Sequence, residues 1–347
     1  MKHANVAIFV PHLGCPHACS FCDQRTISGS PRAPGPEEVA RTAAAALTQM
    51  GERAGAAEIA FFGGSFTAVE PALMESLLRA AAPFVGPGRF RGIRVSTRPD
   101  AIDPPRLAIL RRYGVTAVEL GAQSMDDAVL RLNGRGHTAA DVEKAAVLIR
   151  QGGFELGLQM MTGLYGSTPA GDEATARCFA AIGPDTVRVY PTIVLRGTRL
   201  AQLYREGRYA PQTLPEAVEL GARLLLFFRG RGIRVIRLGL HAEEGIGRNY
   251  VAGPWHPAFR ELCESRVYLG RARQAVAAAG LRPGEAATLY VAPGRLSQLI
   301  GQHRGNFIAL EGETGVRLRA DSRPGLEEFE VVCRREDSPG SAAGQRT

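Results

Sequence analysis

Short runs rich in β-branched and aromatic residues alternate with longer helical patterns along most of this chain, and that alternation restricts the fold more than any other property. The strand candidates are Val6–Val10, Glu58–Phe62, Gly92–Ser96, Ala117–Leu120, Glu155–Met160 and Val187–Tyr190. Helical stretches lie at about Pro36–Met50, Pro71–Pro83, Pro104–Tyr113, Thr138–Gln151 and Thr168–Ile182. Several carry proline near the first turn, where its missing N–H costs no hydrogen bond. Consecutive β/α units lay strands side by side in parallel with right-handed crossovers. The series predicts an α/β fold, a partial (β/α)6 TIM-like barrel over residues 1–240, with its chemistry at the C-terminal strand ends.

Beyond the sixth strand the pattern predicts a short helix near Thr198–Arg205, a helix at Leu214–Arg229 and a further strand at Ile233–Leu238. Gly245–Pro257 is rich in Gly and Pro and reads as a loop inside a linker and helical extension over 241–283. A small C-terminal α/β unit is expected over 284–335: strand Thr288–Val291, helix Gly294–Ile300, turn Gly301–Gly305, helix Asn306–Glu311 and strand Val316–Arg319. Residues 336–347 are small and polar, so a disordered tail is expected. With 347 residues and 45% hydrophobic content the chain can bury a large core. No apolar run approaches a membrane span, and Val6–Val10 is too short for a signal-peptide core. The expected location is the cytoplasm, where thiols stay reduced.

Cys15, Cys19 and Cys22 lie in one short stretch with spacing C-x-x-x-C-x-x-C, and Phe21 precedes the last of them. Three thiolates cannot complete the four ligands of a cubane [4Fe–4S] cluster, so one iron would stay open to a chelating cofactor. Two other readings of the cysteines are a disulfide plus a spare thiol, or a structural zinc site with His12 or His17 as fourth ligand. A zinc knuckle normally adds a second Cys/His pair a dozen or more residues on, whereas the next cysteine here is Cys178. Cys178, Cys263 and Cys333 are scattered among apolar neighbours and read as buried, inert thiols.

The net charge of +8 comes almost wholly from arginine, since Lys2 and Lys144 are the only lysines. A catalytic lysine is therefore nearly excluded. The basic excess falls within residues 1–283, whereas 284–335 is charge-balanced. A basic surface suits a polyanion such as RNA, and arginine bias from base composition or solubility explains it equally well.

The remaining motifs fall at strand ends. Phe62-Gly63-Gly64-Ser65 follows the second strand, where paired glycines let backbone approach a ligand. Arg98 ends the third strand; Glu119 and Gln123 end the fourth and offer acceptors for hydroxyls or an amine. The structural alternative is an Arg98–Glu119 ion pair that only braces the barrel. Asn133-Gly134-Arg135-Gly136-His137-Thr138 reads as a turn capped by Thr138, with Arg135 and His137 as possible phosphate or substrate contacts. Gly166 bounds the fifth strand end. Arg188 and Tyr190 end the sixth, with Arg196 shortly after.

Taken together, His12-Leu13-Gly14-Cys15-Pro16-His17, Gly63-Gly64-Ser65-Phe66-Thr67, Ser96-Thr97-Arg98-Pro99-Asp100, Glu119 to Ser124, Arg135-Gly136-His137-Thr138 and Tyr190-Pro191-Thr192 make the chain resemble a known family over about residues 5–240. It resembles the radical SAM (S-adenosylmethionine) domain of the catalytic subunit of Elongator, the tRNA-modifying acetyltransferase, and its stand-alone bacterial relatives. More distantly it resembles oxygen-independent coproporphyrinogen oxidase. The resemblance implies a [4Fe–4S] cluster on Cys15, Cys19 and Cys22 and S-adenosylmethionine beside it, with Phe21 near the adenine. It implies that Gly63, Gly64 and Ser65 meet the methionine moiety and that Arg98, Glu119 and Gln123 line the cofactor; Gly166, by its place at a glycine-bounded strand end, is expected along the adenine. Tyr190, Arg188 and Arg196 are the expected substrate contacts. The implied reaction is reductive cleavage to a 5′-deoxyadenosyl radical, fed by a one-electron carrier such as flavodoxin or ferredoxin, with tRNA as the expected substrate.

Tyr165 departs from the family, standing where many relatives have Pro. The chain is also expected to lack the acetyltransferase domain that follows the barrel in Elongator. Leu299 to Asn306 has the setting of a K-homology RNA-binding unit, although Arg304 stands where its G-x-x-G loop has Gly. The alternatives are a small-molecule enzyme of the coproporphyrinogen-oxidase type and a non-catalytic iron–sulfur RNA-binding module.

Overall fold

The computed structural model describes residues 4–10, 13, 15, 19–23, 32–240 and 244–336. It divides into two compact units, Met1–Ala217 with Phe227–Pro257, and Val218–Leu226 with Ala258–Thr347. The first unit thus runs past residue 240 to Pro257. His12 and His17, and the expected tail apart from Glu336, lie outside the described residues.

The chain first forms β1 (Ala4–Val10), α1 (Pro36–Met50), β2 (Ala57–Gly63), α2 (Pro71–Ala81), β3 (Gly92–Thr97), α3 (Pro104–Arg112), β4 (Val115–Gln123), α4 (Asp127–Leu132) and α5 (Ala139–Gln151). It continues with β5 (Glu155–Thr162), α6 (Pro169–Ile182), β6 (Thr186–Pro191), β7 (Val194–Leu195), α7 (Arg199–Arg205), α8 (Leu214–Arg229), β8 (Arg234–Leu238), α9 (Glu244–Asn249) and β9 (Tyr250–Ala252). Seven strands form one parallel sheet in the order β1-β2-β3-β4-β5-β6-β8. The sheet stays open between β1 and β8 among the described residues, which makes a partial TIM-like barrel. Local sequence starts the crossover helices: Asp103 and Thr168 accept from backbone N–H groups three residues on, with proline at the first helical position, and Thr138 and Asp141 form a reciprocal capping box.

Alternation along the strands fills the concave face with polar side chains in layers. Near the N-terminal strand ends Arg94 is fully buried, with its Nε 2.8 Å from Glu58 and a terminal nitrogen 2.6 Å from Glu155. Two residues along β3, Ser96 donates to Glu119 at 2.9 Å, and Arg188 on β6 approaches the same carboxylate at 2.7 Å. The segment Gly245–Pro257, read as a loop, instead contributes helix α9 and strand β9, which pairs antiparallel with β7. Strands this short carry too few residues for a periodic signal.

In the second unit, α10 (Phe259–Ala278) precedes β10 (Ala286–Val291), α11 (Leu296–Ile300), α12 (Gly305–Thr314), β11 (Arg317–Ser322) and β12 (Val332–Arg335). β10 is central, parallel to β11 and antiparallel to β12. Ala287, Leu289, Val291 and Leu318 are buried along with Leu299, Phe307, Leu310 and Tyr268. Asn306 is buried, and its amide donates to the Gln298 and Leu299 carbonyls and to Ser265, which fixes the turn between α11 and α12. In that turn His303 and Arg304 hold φ of 51° and 61°. The backbone is left-handed where the sequence supplies no glycine, at a cost of about 1 kcal/mol each.

Candidate functional site

The C-terminal ends of the sheet surround a cavity of about 360 Å³. Cys15, Cys19 and Cys22 all line it. All six cysteines of the chain are thiols rather than disulfide partners; of the three read as buried, Cys263 is buried, Cys333 is half-buried and Cys178 is exposed on the outer side of α6. Among the described residues no three His, Cys, Asp or Glu side chains are gathered tightly enough for one ion as they stand. Burial pushes the Cys15 thiol up from its ordinary range and Cys19 adds to this, while Arg135 and Arg98 act the other way.

Several sequence expectations meet in this cavity. Phe21 lines it from a buried cluster that includes Met161, Leu164 and Leu200. Gly63 and Gly64 line it too, and their lack of side chains serves the neighbouring chain: a Cβ on Gly64 would stand 2.2 Å from the Leu13 carbonyl oxygen and 2.7 Å from that of Val10. Glu119 is 2% exposed and is held by Ser96 and Arg188. Gln123 sits at φ 67°, where β4 loses register after Leu120, and accepts from Gln159 at 3.1 Å. Tyr190 lines the wall, its hydroxyl 3.2 Å from an Arg188 nitrogen.

Other residues sit differently. The Ser65 side chain is fully buried, shares a hydrogen bond with Thr97 at 2.9 Å and accepts from the Arg98 N–H at 3.0 Å, tying β2 to β3, while its backbone hydrogen-bonds the Cys15 thiol. Arg98 lines the cavity but pairs with Asp100 rather than Glu119, since two residues of separation let its guanidinium fold back on that carboxylate. Glu119 takes Arg188 instead. Arg188 is buried, and it lies with its guanidinium carbon 4.4 Å from the Phe62 ring centre. Burial opposes its charge, yet Glu119 and Tyr190 raise its pKa further above the usual range, and it lines the cavity beside them. Gly166 is exposed at φ 84° beside Leu132 and does not line the cavity. Arg196 is exposed beyond β7, its backbone N–H on the Asn249 carbonyl, and lies outside the lining as well. His137 is buried with Nε2 3.1 Å from the Ala122 carbonyl; burial, then Arg135, lowers its pKa to about 4.

Sequence reasoning underrated Arg135 and Asn133. Arg135 reaches the cavity, with one terminal nitrogen 3.1 Å from Cys19 Sγ and the other 2.6 Å from the Gly121 carbonyl. Asn133 is fully buried and takes the Ser20 hydroxyl at 2.6 Å. A capping turn accounts for the glycines of the Asn-Gly-Arg-Gly run, and the sequence carries no signal for the contacts of Asn133 and Arg135.

Known proteins share parts of this chain's sequence and fold. The chain is 29% identical over 241 residues to a tRNA uridine(34) acetyltransferase of Dehalococcoides mccartyi, covering 59% of this chain and 52% of that one. It is 37% identical over 137 residues to human Elongator complex protein 3, covering 39% of this chain and 25% of that one. The chain thus spans about half or less of the length of these curated relatives. Among solved structures, Elp3 of the archaeon Methanocaldococcus infernus, lacking its N-terminal segment, superposes with a TM-score of 0.60 at 22% identity, over 77% of this chain and 62% of that one, and shares its fold. The family profile of the Radical SAM superfamily matches residues 9–178, and that of the Radical_SAM C-terminal domain matches 184–268. With both profiles in series across the barrel and the cysteine loop at its mouth, the chain belongs to the radical SAM superfamily.

Proposed function

We propose that this chain binds a [4Fe–4S] cluster through Cys15, Cys19 and Cys22, binds S-adenosylmethionine beside it, and acts on tRNA. The observation that carries the reading is that the three thiols share one cavity with Glu119, Gln123, Arg135 and Tyr190. Three thiols lining one cavity suit three corners of a four-iron cluster, and the Arg135 guanidinium, 3.1 Å from Cys19 Sγ, offsets the charge of thiolates there. When bound, the cluster and S-adenosylmethionine supply reductive cleavage to a 5′-deoxyadenosyl radical, with the electron drawn from a carrier such as flavodoxin or ferredoxin.

The protein's own contribution is placement. Phe21 supplies an apolar wall among buried neighbours. Gly63 and Gly64 keep the second strand end close against the chain that carries Cys15, leaving backbone groups at the cavity edge. Ser96 and Arg188 hold the Glu119 carboxylate as a fixed acceptor for an ammonium or a ribose hydroxyl. The turned backbone at residue 123 aims its amide into the same space. Arg188 orients the Tyr190 hydroxyl, which makes Tyr190 the substrate-facing group of that wall.

The tRNA reading draws on the relatives' printed activity and on the basic excess of residues 1–283. Exposed Arg196 then serves as a phosphate contact rather than a catalytic group. The second unit's strand–helix–turn–helix–strand order and its left-handed turn at 303–304 support a K-homology-like RNA contact. Binding of tRNA to the full chain at several salt concentrations tests this. Affinity should fall steeply with salt, and Arg196→Ala should reduce the log–log slope by about 1. Absence of salt-dependent tRNA binding even at low ionic strength would refute the tRNA assignment.

A further inference from the structure

We propose that the turn Asn133–Arg135 is a clamp on the cluster loop, and that Arg135 sets the cluster's reduction potential through its N–H contact with Cys19. The inference rests on the reading that the three cysteines hold a cluster. A turn that only capped the next helix would need Thr138 and flanking glycines, and both are present: Thr138 closes the capping box, and Gly134 and Gly136 hold φ of 65° and 71°. Neither explains why Asn133 is wholly buried or why Arg135 points into the cavity.

Asn133 grips the loop through Ser20, the residue next to Cys19. Its carbonyl accepts the Ser20 backbone N–H at 3.0 Å, and its Oδ1 accepts the Ser20 hydroxyl at 2.6 Å. Its own Nδ2 is anchored on the Val129 and Tyr165 carbonyls at 2.8 and 2.9 Å. The side chain is therefore satisfied on every edge and fixed in one orientation, and it passes that rigidity to Ser20.

Arg135 is fixed as firmly. Its backbone N–H donates to the Leu130 carbonyl at 3.0 Å, and one terminal nitrogen donates to the Gly121 carbonyl at 2.6 Å, at the irregularity of β4. The other lies 3.1 Å from Cys19 Sγ, and Nε finds no hydrogen-bond partner among the described residues. Arg98, the second cation near the thiols, is neutralised by Asp100. Arg135 forms no ion pair with a carboxylate among the described residues, so its charge is directed at the sulfur. A guanidinium stays protonated at every working pH. A permanent positive donor on a ligating sulfur favours the state with more negative charge, which is the reduced cluster, and hydrogen bonds to sulfur are among the means by which proteins set such potentials.

The test uses the full chain, reconstituted anaerobically without S-adenosylmethionine, as wild type, Arg135→Lys, Arg135→Met and Asn133→Ala. Iron content and visible absorption are measured first, then the midpoint potential by a redox titration followed by electron paramagnetic resonance. At the wild-type midpoint, Arg135→Met should show a reduced-to-oxidised ratio lower by about tenfold, the scale of one charge-assisted hydrogen bond, which is a downward shift of about 59 mV for one electron. Arg135→Lys should fall between the two. Asn133→Ala should lose iron to a chelator faster than wild type while keeping the wild-type midpoint. Equal midpoints for wild type and Arg135→Met at full iron content would overturn the inference. If Arg135→Met holds no cluster, Arg135→Lys against Arg135→Gln decides in the same way, with equal midpoints again overturning it. A wild-type chain that binds no four-iron cluster would refute the reading of the site itself.

Discussion

Replacing Gly64 with alanine tests how the cluster loop is seated. An alanine Cβ at this position would lie 2.2 Å from the Leu13 carbonyl oxygen, 2.7 Å from the Val10 carbonyl oxygen and 3.0 Å from the Leu13 nitrogen. All three are backbone atoms, so no side chain can swing aside. Relief requires the chain at Leu13 to retreat by about 1 Å to reach ordinary contact distance. That movement breaks the 2.9 Å hydrogen bond from the Ser65 N–H to the Leu13 carbonyl, and Leu13 is two residues from Cys15. Overpacking and the lost bond together should cost about 2–4 kcal/mol, a large part of the stability of an ordinary domain. Urea unfolding of wild type and Gly64→Ala measures this, with Gly35→Ala as control, since a Cβ there meets nothing within 4 Å. Iron content after reconstitution should fall in parallel. A Gly64→Ala midpoint within about 0.5 kcal/mol of wild type, with full iron content, would show that the loop does not seat on this glycine.

Three further outcomes follow from the geometry. His137 has its folded pKa lowered to about 4 from 6.5, so the unfolded chain binds its proton first; stability from this group is complete above pH 6.5 and is lost as pH falls through 4, by about 3 kcal/mol. Urea unfolding at pH 7 and 4.5 should show a smaller loss in His137→Gln than in wild type, and parallel losses would contradict the assignment. Arg94→Met removes one of the two guanidinium groups that lie 2.8 Å from the buried Glu58 carboxylate and leaves it to the more exposed Arg91; it should destabilise by about 3 kcal/mol, part of which Glu58→Gln in the same chain should restore, and a mild effect in the single variant would argue against the buried network. Gln123 sits at φ 67°, so Gln123→Gly should be more stable than Gln123→Ala by about 1 kcal/mol, the reverse of the usual order in a strand, and thermal unfolding reads the difference.

The barrel was legible because its main strands are several residues long and rich in β-branched and other apolar side chains, and the crossover helices announce themselves with Asp, Thr and Pro at their starts. The strand Ile233–Leu238 was legible too, but that it extends the parallel sheet as a seventh member beside β6 follows from pairing, which has no local signature. β4 runs on to Gln123 through an irregularity after Leu120, and a strand that changes register loses the alternation by which it is read. The cysteine loop was legible from spacing alone. The partners of the charged side chains were not. Sequence order suggested Arg98 with Glu119, whereas the fold gives Glu119 to Arg188, which lies 69 positions away in the sequence and two strands away in the sheet. Asn133 and Arg135 were legible as a turn and not as a clamp, because their targets, Ser20 and Cys19, are brought to them only by tertiary structure.

The central claim is that Cys15, Cys19 and Cys22 hold a cluster that cleaves S-adenosylmethionine in this cavity, and the most direct measurement is product formation by the anaerobically reconstituted full chain. With dithionite and S-adenosylmethionine, protein containing about four irons per chain should form 5′-deoxyadenosine and methionine. Alanine at any of the three cysteines should abolish both the iron and the products, while alanine at Cys178 should preserve both. Stoichiometric zinc with little iron, or a full cluster that yields no 5′-deoxyadenosine, would contradict the account.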